Sequence, residues 1–137
     1  MKTNKLVTNY RDLEVYKAAL SFQQAIFKAS KKFPREEMFS LTDQIRRSSR
    51  SIGANIAESW AKRRYQAHFL SKLTDADGEL QETCHWLRTA YLCDYLTEDE
   101  ATALAEQGSE VGNMLGSMIA NHESFCIHQP PPKHHRQ

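Results

Sequence analysis

Apolar side chains in this chain recur at steps of three and four, the spacing that lines up positions on one face of an α-helix. The first run is Val15, Ala19, Phe22, Ile26, Ala29 and Phe33. A second stripe, Leu13, Tyr16, Leu20 and Phe27, lies about 100° around the same helix. Pro34 ends the pattern, since its ring has no amide hydrogen to give a helix. Ser40 with Asp43 reads as a capping box that opens a second helix through about Lys62. Its apolar line is Leu41, Ile45, Ile52, Ile56 and Trp60, and its polar line is Ser48, Ser51, Asn55, Glu58 and Lys62. Gly53, Ala54, Ala57 and Ala61 predict close approach of a neighbour, the glycine costing about 1 kcal/mol of helix propensity.

A third helix is predicted from about Tyr65 to Tyr95, with Phe69, Leu73, Ala76, Leu80, Cys84, Leu87 and Tyr91 on one face. Thr97 and Glu100 form a capping box for a fourth. There Ala101, Leu104, Gly108, Val111, Leu115, Met118, His122 and Phe125 alternate three and four without a break. Residues 1–9 read as a flexible leader and residues 127–137, with Pro130, Pro131 and Pro132, as a disordered Pro/His-rich tail. Residues 10–126 remain as one domain. Four amphipathic helices joined by short connections predict an all-α, antiparallel up-down four-helix bundle. The surplus stripes, with Leu70, Trp86, Ala90 and Cys93 on the third helix, exceed what one such core can take in. Apolar area is worth about 25 cal/mol per Å² when buried, so Leu13, Tyr16, Leu20, Phe27, Leu70 and Trp86 are the expected contacts of a homo-oligomer.

Composition agrees with helices: 5 Gly and 4 Pro in 137 residues are too few for the many turns of a sandwich or barrel. Charge changes the picture more. The 18 basic and 17 acidic residues nearly cancel, yet residues 1–72 carry +9 and residues 73–137 carry −8. No apolar run is long enough to span a membrane and the N-terminus has no signal core, so a cytoplasmic protein without a membrane partner is expected. Cys84, Cys93 and Cys126 have neither disulfide nor zinc spacing and read as small, mostly buried apolar residues.

The basic half concentrates Arg46, Arg47, Arg50, Lys62, Arg63 and Arg64 in and after the second helix. Guanidinium forks match phosphate oxygens in pairs, and neutralising a nucleic-acid backbone releases its counterions, so this cluster is the candidate nucleic-acid-binding surface. The competing use of the same arginines is pairing with Asp75, Asp77, Glu79, Glu82, Glu98, Asp99 and Glu100 in this chain or a neighbour. Ser51, Asn55 and Glu58, at i, i+4 and i+7, are expected to form a structural polar network that fixes helix register. Asp75, Glu79 and Glu82 lack the Glu-x-x-His partner of a bundle metal site and read as an exposed acidic stripe. His85 and His122 sit beside apolar stripes as core or interface residues. Phosphate-loop, dinucleotide, nucleophile-elbow and zincin motifs are all missing, so no enzyme, metal, cofactor or small-molecule substrate is expected.

The stretch Phe39 to Trp60, FSLTDQIRRSSRSIGANIAESW, strongly resembles the signature of the four-helix bundle proteins encoded in intervening sequences of bacterial 23S ribosomal RNA genes. Leu41, Gln44, Arg46, Arg47, Ser51, Ile52, Ala54, Asn55, Ile56, Ala57 and Glu58 carry the match. YRDLEVY at Tyr10 to Tyr16, Phe33-Pro34, Phe69-Leu70 and Glu79-Leu80 extend it over about residues 10–122. Gly53 stands where the family usually has Pro, Ser59 where it has Gly, and Asp75-Ala76 where Gly-Ser is common.

The resemblance implies an up-down bundle assembled as a ring-shaped homopentamer without enzyme activity. Related bundles include the accessory variability determinant of diversity-generating retroelements, a pentamer that binds nucleic acid and a reverse transcriptase. By that likeness Arg46, Arg47 and Arg50 are candidates for RNA contact. The expected function is a non-enzymatic pentamer binding structured RNA or a ribonucleoprotein, the alternative a protein adaptor such as a reverse-transcriptase accessory protein. Separately, Arg63 and His68 have an R-x4-H spacing similar to the catalytic motif of HEPN-class ribonucleases, where a His deprotonates a ribose hydroxyl and an Arg stabilises the phosphorane.

Overall fold

A computed structural model describes residues 7–127, and among them the chain forms four α-helices and no strand. These are α1 (Glu14–Ser30), α2 (Leu41–Ala61), α3 (Gln66–Leu92) and α4 (Glu98–Ala120), with single 3-10 turns at Tyr10–Asp12, Arg35–Glu37 and His122–Phe125. At 1.5 Å per residue, the 27 residues of α3 make it about 40 Å long. The expected stripes build one core: Phe22 and Ile26 from α1, Ile45, Ile52 and Ile56 from α2, Phe69, Leu73 and Leu80 from α3, Val111 and Leu115 from α4. Gly108 lets α4 come close, because a Cβ there would lie 3.2 Å from Phe22 Cζ and 3.4 Å from Cys84 Sγ.

The helix ends follow local chemistry. Thr97 Oγ1 accepts from the Glu100 amide and Glu100 accepts from the Thr97 amide, so the predicted capping box of α4 forms. The box expected at Ser40 and Asp43 does not. Glu37 takes its place: its Oε1 accepts from Ser40 Oγ at 2.5 Å and from the Leu41 amide at 3.3 Å, and its Oε2 accepts from Tyr95 Oη at 2.9 Å. The anionic carboxylate suits the N-terminal end of a helix better than a neutral hydroxyl. α3 stops at Leu92, before the predicted Tyr95, in a Schellman turn. The Asp94 amide donates to Tyr91 O, the Tyr95 amide donates to Ala90 O, and Asp94 takes the left-handed φ of 64°.

Three more expectations change. Leu13 is 5% exposed and belongs to this chain's own core, not to a subunit interface. It precedes α1 in an extended conformation, so the helical wheel that put it on an outer stripe does not apply. The fourth-helix pattern runs past the helix itself: His122 and Phe125 sit in the following 3-10 turn, whose period of three preserves their spacing. Within the predicted leader, Val7 packs on the core and Asn9 caps the first turn, and Ile127 of the predicted tail donates its amide to Arg63 O. The rest of both segments, with His128, His134 and His135, lies outside the described residues.

α2 and α3 share the most intimate seam. Ser48 and Thr83, both fully buried, stand 2.9 Å apart between the helices, and Thr83 Oγ1 also lies 2.8 Å from Glu79 O. Ser48 Oγ lies 3.4 Å from Ile45 O in turn, so the two hydroxyl hydrogens are shared between the two helix carbonyls and the bond that joins the side chains. Arg47 meets Glu82 on one side of this level, and Glu58 meets Lys72 at 3.0 Å toward the other end of α2.

Candidate nucleic-acid interface

The six basic residues close together in sequence divide into two groups in space. Arg46, Arg47 and Arg50 lie on the first half of α2, whereas Lys62, Arg63 and Arg64 lie in the turn that follows Ala61, the helix end being about 18 Å beyond Arg50 along the axis. The first group lines a shallow open groove of about 590 Å³ with Met38, Phe39, Thr42, Asp43, Ser51 and Ala54.

These arginines are held differently. Arg46, half-buried, donates from Nε to Ser30 Oγ at 2.8 Å and lies over the Phe27 ring at 4.8 Å from its centroid. Arg47 is exposed and splits its guanidinium between Gln44 Oε1 at 3.0 Å and Glu82 Oε2 at 2.8 Å. Arg50 is exposed, rests 5.5 Å from the Phe27 centroid and has no carboxylate partner among the described residues. Lys31 sits over the same ring at 4.9 Å. Phe27 is therefore a half-buried platform under three cations, a use that its expected interface role did not anticipate.

Phe39 stands at the edge of the groove with 94% of its surface exposed, beside Met38 at 45%. Helices are often entered with an apolar residue before the cap packed on another four positions into the helix. Phe39 occupies the first position, but the second is Gln44, which leaves the ring without a staple. That polar partner was the sequence signal for this residue, and the helical periodicity does not register it. The Glu37 bonds to Ser40, Leu41 and Tyr95 fix the backbone on either side, so the turn presents the ring outward.

The second basic group faces other tasks. The Arg63 guanidinium lies 3.6 Å from the Trp60 centroid, donates to Trp60 O at 2.8 Å, and its backbone carbonyl takes the Ile127 amide. Burial lowers the Arg63 pKa, and the nearby Cys126 acts in the opposite sense. His68 is exposed and packs on Tyr65 at 5.6 Å, so the two residues of the R-x4-H spacing engage different aromatic neighbours. Lys62 is half-buried and Arg64 exposed.

Other expected constellations also separate. Ser51 and Asn55 are half-buried and satisfied on their own helix, Ser51 Oγ donating to Arg47 O and Asn55 Nδ2 to Ser51 O, both at 2.9 Å. Glu58 is exposed and pairs with Lys72, so the three form no mutual buried network. The buried polar contact between α2 and α3 is Ser48 with Thr83. Of the acidic stripe, Asp75 is exposed, but Glu82 is half-buried between Arg47 and Trp86 Nε1, and Glu79 is half-buried with an Oε1 that has no partner among the described residues. Trp86, Leu70 and Tyr16 are half-buried, and Tyr16 covers Gly53 and meets Tyr10 edge-on at 4.9 Å. Only Leu20 of the expected interface residues is open, at 41%. Cys93 is exposed, contrary to the expectation of burial. Cys84 and Cys126 are half-buried, and burial with a nearby carboxylate raises both thiol pKa values, which keeps them protonated. His85 is exposed against Trp86, and His122 meets Ile119 O and Gln66.

Fold and groove together define a small four-helix bundle with a cationic, aromatic-edged face at the start of its second helix. Residues 11–117 match the family described as 23S rRNA-intervening sequence protein, and the chain belongs to that family. It is also similar to a crystal structure of a protein of unknown function from the S23 ribosomal protein family of Bacteroides thetaiotaomicron VPI-5482. The identity is 31% over 77% of this chain and 95% of that one, with a TM-score of 0.70. No curated protein matches the chain. No helix among the described residues is long and apolar enough to cross a membrane.

Proposed function

We propose that the protein is a non-enzymatic, cytoplasmic, antiparallel up-down bundle that assembles as a homopentamer and binds RNA through the first half of α2. The observation that carries the reading is the convergence of Arg46, Arg47 and Arg50 on one open groove, where Arg50 lacks a carboxylate partner among the described residues. Such a face attracts a polyanion and leaves sequence unread. Repeating it around a ring makes weak single contacts into a strong multivalent one. The order of contacts along the α2–α3 seam supports the antiparallel arrangement, since Arg47 meets Glu82 and the later Glu58 meets the earlier Lys72. Oligomerisation draws support from the exposed Leu20, with Tyr16, Phe27, Leu70 and Trp86 half-buried around the bundle, and from the unpartnered Glu79 oxygen that a neighbouring subunit's donor would satisfy.

One observation favours a second reading, a protein adaptor: Arg47 is already paired with Glu82, as expected of arginines that serve packing. The two separate on the variant Arg47→Gln/Arg50→Gln, which leaves the anchored Arg46 in place. RNA binding predicts weaker affinity and a shallower salt dependence at unchanged particle mass. Loss of mass with no RNA effect supports the adaptor. RNA cleavage by the purified protein that His68→Ala abolishes would contradict the non-enzymatic reading.

A further inference from the structure

We propose that the groove takes single-stranded RNA, an unpaired base stacking on Phe39 while Arg47 and Arg50 hold flanking phosphates; the proposal rests on the RNA reading above and names the form of RNA. Phe39 is 94% exposed and unstapled, on a turn whose backbone is held by the Glu37 bonds to Ser40 and Leu41. A ring projecting from a held backbone offers its face to a partner, and stacking on it orders only the side-chain torsions. Within a duplex the bases are already stacked on one another, so away from its ends a splayed, unpaired base is needed to cover such a ring.

Charge selects the occupant and its direction. A second apolar protein surface would also cover Phe39, but it would have to desolvate Arg46, Arg47 and Arg50 along the same groove, whereas a polynucleotide brings phosphates to them. Asp43 is the acidic residue lining the groove and lies toward the Phe39 end. It repels phosphate there and accepts a hydrogen bond from a base amino group. Asp43 and Arg50 are seven residues apart on α2, about 10 Å along the axis, which separates a base-binding end from a phosphate-binding end. The groove is open and shallow, a shape for a strand passing across it rather than for an enclosed small molecule.

The test uses the full chain with three probes: a short single-stranded RNA of mixed sequence, the same strand annealed to its complement, and the same strand carrying abasic sites. The proposal predicts that the single strand binds about tenfold tighter than the other two, the range expected for one stacked base. Phe39→Ala should erase that preference without changing the salt slope, and Phe39→Trp should keep it. Equal binding of all three probes, weakened by salt, overturns the stacking proposal and leaves the RNA reading standing. No binding of any probe overturns both. A drop in light-scattering mass for Phe39→Ala, with its helical circular dichroism intact, makes the ring a subunit contact and also overturns the proposal.

Discussion

Replacing Arg46 and Arg50 one at a time by Gln separates a cation that builds the groove from one that serves it. Arg46 donates to Ser30 Oγ at 2.8 Å, and a hydrogen bond from a charged donor is worth about 1.5–3 kcal/mol. Its position over Phe27 at 4.8 Å adds about 0.5–1 kcal/mol. Ser30 keeps its own bond to Phe27 O at 2.9 Å, so Arg46→Gln empties one acceptor position and orphans no donor. The expected loss is therefore near the lower bound, about 2 kcal/mol, or a fall in Tm of about 5–10 °C for a domain of this size. Arg50 has only the longer 5.5 Å approach to the same ring from an exposed position, and Arg50→Gln should cost about 0.5 kcal/mol or less. The order reverses for RNA. Arg50→Gln should lower the slope of log affinity against log salt by about 0.7, one phosphate contact on a single strand. Urea unfolding by circular dichroism and a salt series of RNA titrations measure both quantities. Equal unfolding midpoints for the two variants, or a larger RNA defect in an undestabilised Arg46→Gln, would refute the division of labour.

The remaining predictions concern the frame. Gly78 has open space around its missing Cβ, so Gly78→Ala should stabilise by about 0.5–1 kcal/mol. Gly108→Ala gains the same propensity but meets the fully buried Phe22 at 3.2 Å from Cζ and Cys84 Sγ at 3.4 Å, and overpacking of about 1–3 kcal/mol should outweigh the gain; stabilisation of both in thermal melts would mean that α4 is not tightly seated. For Ser48 and Thr83, a double-mutant cycle with Ser48→Ala and Thr83→Val should give a coupling of about 1 kcal/mol, and additive losses would remove the buried hydroxyl pair from the account. The Glu37 carboxyl is held below its usual 4.5 by bonds from Ser40, Tyr95 and the Leu41 amide, and Glu100 falls to about 2 through Lys32 and the Thr97 amide. Lowered carboxyl values stabilise the fold above about pH 4.5, and that contribution is lost as pH falls toward the folded values. Tyr95 is pushed up to about 12 chiefly by its bond to Glu37, which stabilises the fold below its ordinary 10 and is lost between 10 and about 12. Unfolding midpoints measured against pH should show both edges in the parent and shallower ones in Glu37→Gln; an unchanged profile would contradict the Glu37 bonds to Ser40 and Tyr95.

Periodicity carried the helices and nearly all of the core, because burial on one face is what a period of 3.6 records. It fails where the backbone leaves the helix. Leu13 precedes α1 in an extended conformation and turns inward, although a continued wheel places it outside. Phe27 looked surplus because the cations that cover it come mainly from α2, and no pattern within α1 announces them. Ser51 and Asn55 have the spacing of a network but bond to their own helix, since a side chain four residues on reaches the preceding carbonyl as readily as a neighbour. The arginine group was legible as a cluster, and its division into two sites was not. Phe39 shows the limit most clearly: its role depends on Gln44 failing to staple it and on Glu37, rather than Asp43, capping α2.

Light scattering of the purified protein, with and without a 23S ribosomal RNA fragment in low and moderate salt, reads assembly and RNA binding in one experiment. A five-subunit mass that rises with RNA and returns as salt increases is the predicted result. A five-subunit mass indifferent to RNA would contradict the proposed binding, and a stable monomer would contradict the proposed assembly.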